Sequence, residues 1–194
     1  MTLAHSDPII FVLHGIVMCA VLSIITLVLL YSGLPVFGPI NDMINAVSGV
    51  FIMVLAWQLV PSQGSGSWLS VLAVLVAWIG ALLVLGNSIL VAMGQMDWKL
   101  GGMFTSIGYA SLGIWLLLLV LSSSQPAVLP IHLKWATLLI GISLLSGFLA
   151  GPLLAEKISL EIKPVVWIAY TLNGLGWLAF PVWCWFLAQS LKSS

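Results

Sequence analysis

Charge is what this chain lacks. Of its 194 residues only 5% are Asp, Glu, Lys or Arg, while 62% are hydrophobic. A soluble domain carries about 25% charged residues, so the five Lys and five carboxylates present here cannot clothe a water-exposed surface. Arginine is absent altogether, and the net charge is zero. Without a basic face to neutralise phosphates, nucleic acid is excluded as a partner. Cysteine is scarce too. Cys19 and Cys184 both lie in apolar stretches and read as inert thiols rather than a disulfide. The short Cys/His spacings of a zinc site are missing. So are a nucleophile elbow, an HExxH helix, a Gly-rich phosphate loop and a lysine cluster for lipid head groups. No carboxylates pair at helical spacing inside an apolar run. The sequence therefore shows no apparatus for catalysis on a polar substrate.

What is present is hydrophobic length. A helix needs roughly 20 apolar residues to cross about 30 Å of hydrocarbon. Six segments qualify, at approximately 8–31, 39–60, 68–93, 102–121, 130–153 and 164–191. The expected fold is an all-α integral membrane protein, a six-transmembrane-helix bundle with short loops forming a single membrane domain over 1–194. Asp7-Pro8 supplies an N-cap and first-turn pair for the first helix. The leader before it has no positive charge and the apolar run is long for a signal peptide, so this segment reads as a retained helix. Trp68 and Trp98 stand where interfacial anchors belong. The connections 61–67 and 122–127 are Ser-, Gly- and Gln-rich turns. Residues 157–163 alternate polar and apolar side chains, which fits an interfacial loop or, more sharply, a strand edge for a partner.

Six crossings put both termini on one side, here termed face A. Face B then carries Asp42, Asp97, Lys99, Glu156, Lys157, Glu161 and Lys163. Face B holds three Lys and face A two, so the positive-inside rule tilts face B toward the cytoplasm by a single residue. In size and hydropathy the chain resembles small bacterial six-helix membrane proteins, a likeness that carries no motif. The bacterial cytoplasmic membrane is the expected location.

The polar residues inside the segments share a depth. Asn45 lies about 9 Å inside face B at 1.5 Å per residue, and Asn87 lies at a similar depth. Tyr109, Tyr170 and Asn173 fall in the same half, behind Asp42 near the mouth. Asp42, Asn45 and Gly49 follow i, i+3, i+7 spacing and so share one side of their helix. Polar groups in a membrane turn away from lipid. Two readings follow. Either these groups line a wet vestibule with Asp42 as its ion or proton group, or the amides simply bond helix to helix and Asp42 is an N-cap.

His14 and His132 lie toward face A. A neutral imidazole suits haem, chlorophyll-type pigment or metal, and the two together could ligate one group if their helices adjoin. The plainer reading is a satisfied core histidine and a solvated one. Small residues recur every fourth position at Ala73/Ala77/Ala81, Gly102/Ser106/Ala110 and Ser143/Gly147/Gly151. Such stripes serve close packing within the bundle, or a homo-oligomer. Pro181 should kink the sixth helix. Trp177, Trp183 and Trp185 around it read as an interfacial belt, or as an aromatic pocket for a flat hydrophobic ligand.

Three functions remain open. The first is a non-enzymatic accessory or assembly subunit, or a hydrophobic-ligand binder, with a membrane-complex partner besides the lipid bilayer. The second is a small transporter or channel using Asp42, Asn45, Asn87, Tyr170 and Asn173. The third is a haem or pigment protein using His14.

Overall fold

The computed structural model describes residues 6–59, 68–122, 129, 131–154 and 163–192. Seven helices occupy them: α1 (Ser6–Tyr31), α2 (Phe37–Leu59), α3 (Trp68–Ala92), α4 (Trp98–Ser122), α5 (Ile131–Leu145), α6 (Gly147–Leu154) and α7 (Lys163–Lys192). No strand occurs among the described residues. The alternating stretch at 157–163 falls almost wholly outside them. Six segments are long and apolar enough to cross a membrane, α5 and the start of α6 together making the fifth.

Three boundaries differ from the sequence reading. α2 begins at Phe37, which puts Asp42 about 7–8 Å into the helix at 1.5 Å per residue. Asp42 is therefore not an N-cap. α4 begins at Trp98, four residues before the apolar run suggests, because the Asp97 carboxylate accepts the Lys99 amide at 3.1 Å and caps the turn. The fifth segment is broken at Ser146 rather than continuous. α7, in contrast, runs unbroken through Pro181.

Consecutive helices pack side by side, and α7 returns to α1, so the segments close into a ring. His14 near the start of α1 meets Trp185 near the end of α7, with ring centroids 5.5 Å apart. Those two helix ends therefore share one end of the bundle. α4 touches α3, α5, α6 and α7. Glycine makes its close approaches possible. A Cβ added at Gly108 would stand 2.8 Å from the Gly80 carbonyl oxygen of α3, and one at Gly113 would stand 2.6 Å from the Gly141 carbonyl oxygen of α5. Gly147 and Gly151 likewise press on the Ser106 and Met103 carbonyls of α4. The small-residue stripe of the fifth segment thus packs within the chain.

In the face A half the ring is filled solid. Leu13, Ile16, Leu55, Leu59, Trp115, Leu116, Trp183 and Leu187 are all essentially inaccessible and belong to one apolar cluster. Large apolar side chains such as Phe11, Val28, Leu75, Leu139 and Val182 point outward. A surface of that kind is compatible with lipid and not with water.

Candidate functional site

The α1–α2 and α3–α4 connections are tight, and each turns on a glycine of positive φ, Gly33 at +92° and Gly94 at +69°. Tight turns hold neighbouring helices in fixed register, so polar groups at matching depth meet. On the first pair, the Ser23 hydroxyl lies 2.7 Å from Asn41 Oδ1 and 3.3 Å from Asn45 Oδ1. Thr26 Oγ1 lies 3.1 Å from the same Asn41 oxygen. On the second pair, Thr105 donates to Asn87 Oδ1 at 3.1 Å. The Asn87 Nδ2 group is buried and has no hydrogen-bond partner among the described residues.

α7 is tied elsewhere. Asn173 Nδ2 donates to the Leu144 carbonyl at 3.0 Å, one of the last-turn carbonyls of α5 that lack an intrahelical amide. The Ser143 hydroxyl donates to the Leu172 carbonyl and that of Ser146 to the Ala169 carbonyl at 2.8 Å. Asn173 thus satisfies a carbonyl freed at the break, and the two serine hydroxyls there bind the break to α7. Trp177 Nε1 donates to the Tyr109 hydroxyl oxygen at 3.0 Å, joining α7 to α4.

Between these helices lies a cavity of about 830 Å³ that opens at face B. Asp42, Asn45, Asn87, Tyr109, Tyr170 and Asn173 all line it. The structure therefore brings together around one space the five side chains that the sequence places at one depth and Asp42 in front of them. Five of the six apolar segments contribute, the fifth being the exception. Ser23, Asn41 and Thr105, which were not singled out from the sequence, also line it, as does Ser106, which was read only as part of a close-packing stripe. Asn41 and Asn45 stand at i, i+4, a face-sharing interval that was there to be read.

Asp42 bears the single formal charge among the described lining residues. No hydrogen bond or ion pair to its carboxylate occurs among the described residues. Around it stand amides, hydroxyls and the aromatic rings of Tyr31, Trp98, Tyr109, Tyr170 and Trp177. The volume falls within the roughly 300–1,000 Å³ of small-ligand sites. An unpartnered carboxylate in a partly dehydrated wall attracts cations more strongly than one in bulk water. With no Lys, Arg or His among the described lining residues, an anion finds no opposite charge.

The Tyr109–Trp177 pair forms the floor. Beneath it lies a void of about 10 Å³ bounded by Cys19, Asn45, Ser48 and Phe180, about the size of one water. The apolar packing of the face A half follows.

His14 and His132 lie apart from this cavity. His14 Nδ1 donates to the Ile10 carbonyl at 2.7 Å, which leaves Nε2 as its coordinating atom. His132 is exposed at the start of α5. α1 and α5 both pack on α7, which stands between them. No group of three or more His, Cys, Asp or Glu side chains placed for a metal exists among the described residues. The tryptophans near Pro181 do not form a single belt. Trp183 is buried and donates to Thr137 Oγ1 at 2.8 Å, Trp177 is half-buried on Tyr109, and only Trp185 faces outward.

No protein-family model, curated protein or solved structure matches the chain.

Proposed function

We propose that this chain is a six-span integral membrane protein that takes a small cationic solute into a cavity open to one side of the bilayer, in the manner of a transporter. The bacterial cytoplasmic membrane, with both termini on face A and face B toward the cytoplasm, is the orientation that the lysine distribution favours. One observation carries the reading: Asp42, without a protein partner, stands in a cavity walled by amides and hydroxyls from five segments. An ionisable residue within such a segment marks a binding or conduction site more often than a structural one. Asn87 adds a second requirement. Its unpartnered Nδ2 is a buried donor, and a buried donor is stabilised by an acceptor. The Asn87 side chain lines the cavity, and turning its amide toward that space would let Nδ2 meet an oxygen acceptor carried a few atoms from the solute's positive charge.

An assembly subunit needs no cavity, and a haem or pigment site needs ligands facing one space. The gathering of Asp42 and of amides from α2, α3 and α7 around one space favours the cavity reading over both. In a transport cycle the closed face A half would have to open while face B closes, as two discrete arrangements of one bundle.

The test is ligand-induced stabilisation of the purified protein. Tetramethylammonium and choline should raise its thermal transition, choline more than tetramethylammonium, whereas acetate and phosphate should not. Asp42→Asn should remove the effect of both cations, and Asn87→Leu only the advantage of choline. Equal stabilisation by the anions, or an unchanged cation response in Asp42→Asn, would count against the proposal. Uptake of labelled choline into proteoliposomes then separates transport from binding alone.

A further inference from the structure

A second cavity lies against the first. An apolar groove of about 330 Å³ runs along the seam between α1 and α7. Val17, Val21 and Ile24 form its α1 wall, and Trp177, Pro181 and Val182 part of its α7 wall. Trp177 belongs to both spaces. One face of its indole region bounds the polar cavity and the other bounds a groove that is almost wholly hydrocarbon.

On the face B side the seam lacks, among the described residues, the side-chain hydrogen bonds that tie its neighbours. The hydrogen bonds described above tie α1 to α2, and α7 to α4 and α5, and none of those bonds crosses from α1 to α7. A Cβ added at Gly174, which lines the polar cavity, would meet no atom within 4 Å. Tyr170, one turn away, is 42% exposed. Toward face A the seam closes where His14 meets Trp185.

We propose that the solute is an amphiphilic organic cation, an amine or quaternary ammonium on an alkyl tail, which reaches the site sideways from the bilayer through the α1–α7 seam. Its head rests in the polar cavity with Asp42 and its tail lies in the apolar groove beyond Trp177. This rests on the cavity reading above and adds the ligand class and the route. Three features select this occupant. The single lining charge is negative, which disfavours fatty acids and phosphate-bearing lipids. The aromatic rings of Tyr31, Trp98, Tyr170 and Trp177 suit an ammonium group, which is attracted to ring faces within about 6 Å. The groove and the polar cavity share Trp177 as a wall, so that a tail passing the edge of that side chain would join the two in one occupant.

The experiment compares tetramethylammonium with butyl-, hexyl- and octyltrimethylammonium, titrated calorimetrically into the protein in lipid nanodiscs. Protein-free nanodiscs give the partitioning of each tail into lipid, which is subtracted. Affinity should rise roughly threefold to fourfold for each methylene that enters the groove. Val21→Phe and Val182→Phe fill the groove from two exposed positions and leave the buried core untouched. Each should abolish the dependence on tail length and leave tetramethylammonium binding unchanged. If affinity beyond partitioning does not grow with tail length, or grows equally in both filled variants, the groove holds only bilayer lipid and the inference falls while the cavity reading stands. If tetramethylammonium fails to bind, or binds Asp42→Asn equally well, the cavity reading itself falls and takes this one with it.

Discussion

The two halves of this bundle are built from the same helices and solve opposite problems. Toward face A the ring is filled by Leu, Ile and two inaccessible Trp side chains, Trp115 and Trp183. Toward face B the same ring encloses about 830 Å³ and gathers its amides and its one charge there. The dry half is not free of polar atoms, since Gln58 Oε1, Ser70 Oγ and Trp115 Nε1 are buried in it without partners among the described residues. They are dispersed on α2, α3 and α4, whereas the polar groups of the wet half face a shared space. In a bilayer the hydrophobic effect does not draw helices together, and packing and hydrogen bonds must do it instead. The comparison shows these two terms separated along the membrane normal, with packing dominant in one half and polar contacts in the other.

That separation makes four predictions about stability and reactivity. The largest loss should come from the dry half. Trp183→Ala empties a fully packed site and breaks the bond to Thr137. It should cost about 3 kcal/mol, the low end for large aromatic truncations, because the unfolded helices remain in lipid rather than water. Reversible unfolding in mixed micelles measures it, and a loss no larger than that from a cavity-lining variant would dissolve the contrast. Next, Gly108→Ala drives a methyl against the Gly80 carbonyl. It should cost about 2 kcal/mol through forced separation of α3 and α4. Gly174→Ala, where a Cβ meets nothing, should be neutral in the same assay.

The wet half should respond in function and not in stability. Asp42→Asn removes a charge that has no bond among the described residues, so unfolding should change by no more than about 0.5 kcal/mol. Cation-induced stabilisation should nevertheless vanish. A large stability loss would mean that Asp42 is structural after all. The floor should give a comparably small energetic effect. Tyr109→Phe deletes the acceptor of the Trp177 indole, and interhelical hydrogen bonds in membranes average about 0.6 kcal/mol. Its more informative readout is chemical. Cys19 is buried and borders the small void beneath the floor. It should react faster with a water-soluble thiol reagent added at face B in Tyr109→Phe than in the unchanged protein. No acceleration would show that the Tyr109–Trp177 pair is not what separates the halves.

Much of this architecture was legible in the sequence, for a definite physical reason. Length and apolarity are what a bilayer demands, and both are one-dimensional properties. Six segments and the common depth of Asn45, Asn87, Tyr109, Tyr170 and Asn173 follow from counting. The break at Ser146 was not legible, because Leu144, Leu145, Phe148 and Leu149 continue the apolar run across it. The partners at the break lie on α7, far away in sequence: Asn173 donates to the Leu144 carbonyl, and the Ser143 and Ser146 hydroxyls donate to α7 carbonyls. Ser23, Thr105 and Ser106 were missed for a related reason. Hydroxyls in membrane helices can bond their own backbone, as Ser111 does to the Ile107 carbonyl and Thr171 to that of Trp167. A Ser or Thr therefore need not face the interior. When every face of a helix is apolar, periodicity does not reveal which side turns inward. Asp42 was open to an N-cap reading because Pro39 suggested a later helix start than Phe37.

The burial of α4 has a consequence for how the chain is made. α4 is the most enclosed of the six segments, and much of what encloses it, α5, α6 and α7, follows it in the sequence. During synthesis it enters the membrane with α3 as its principal neighbour, carrying the Ser106 carbonyl and the Gly113 notch, which α6 and α5 meet only afterwards. For that interval its inward face confronts lipid or the insertion machinery. We therefore expect a nascent chain halted at residue 128 to be held by that machinery or degraded. A chain halted at residue 97, with the first three segments made and α4 not begun, should leave freely. Pulse labelling of the two truncations would reveal the difference as unequal lifetimes, and equal lifetimes would show that α4 needs no such shelter.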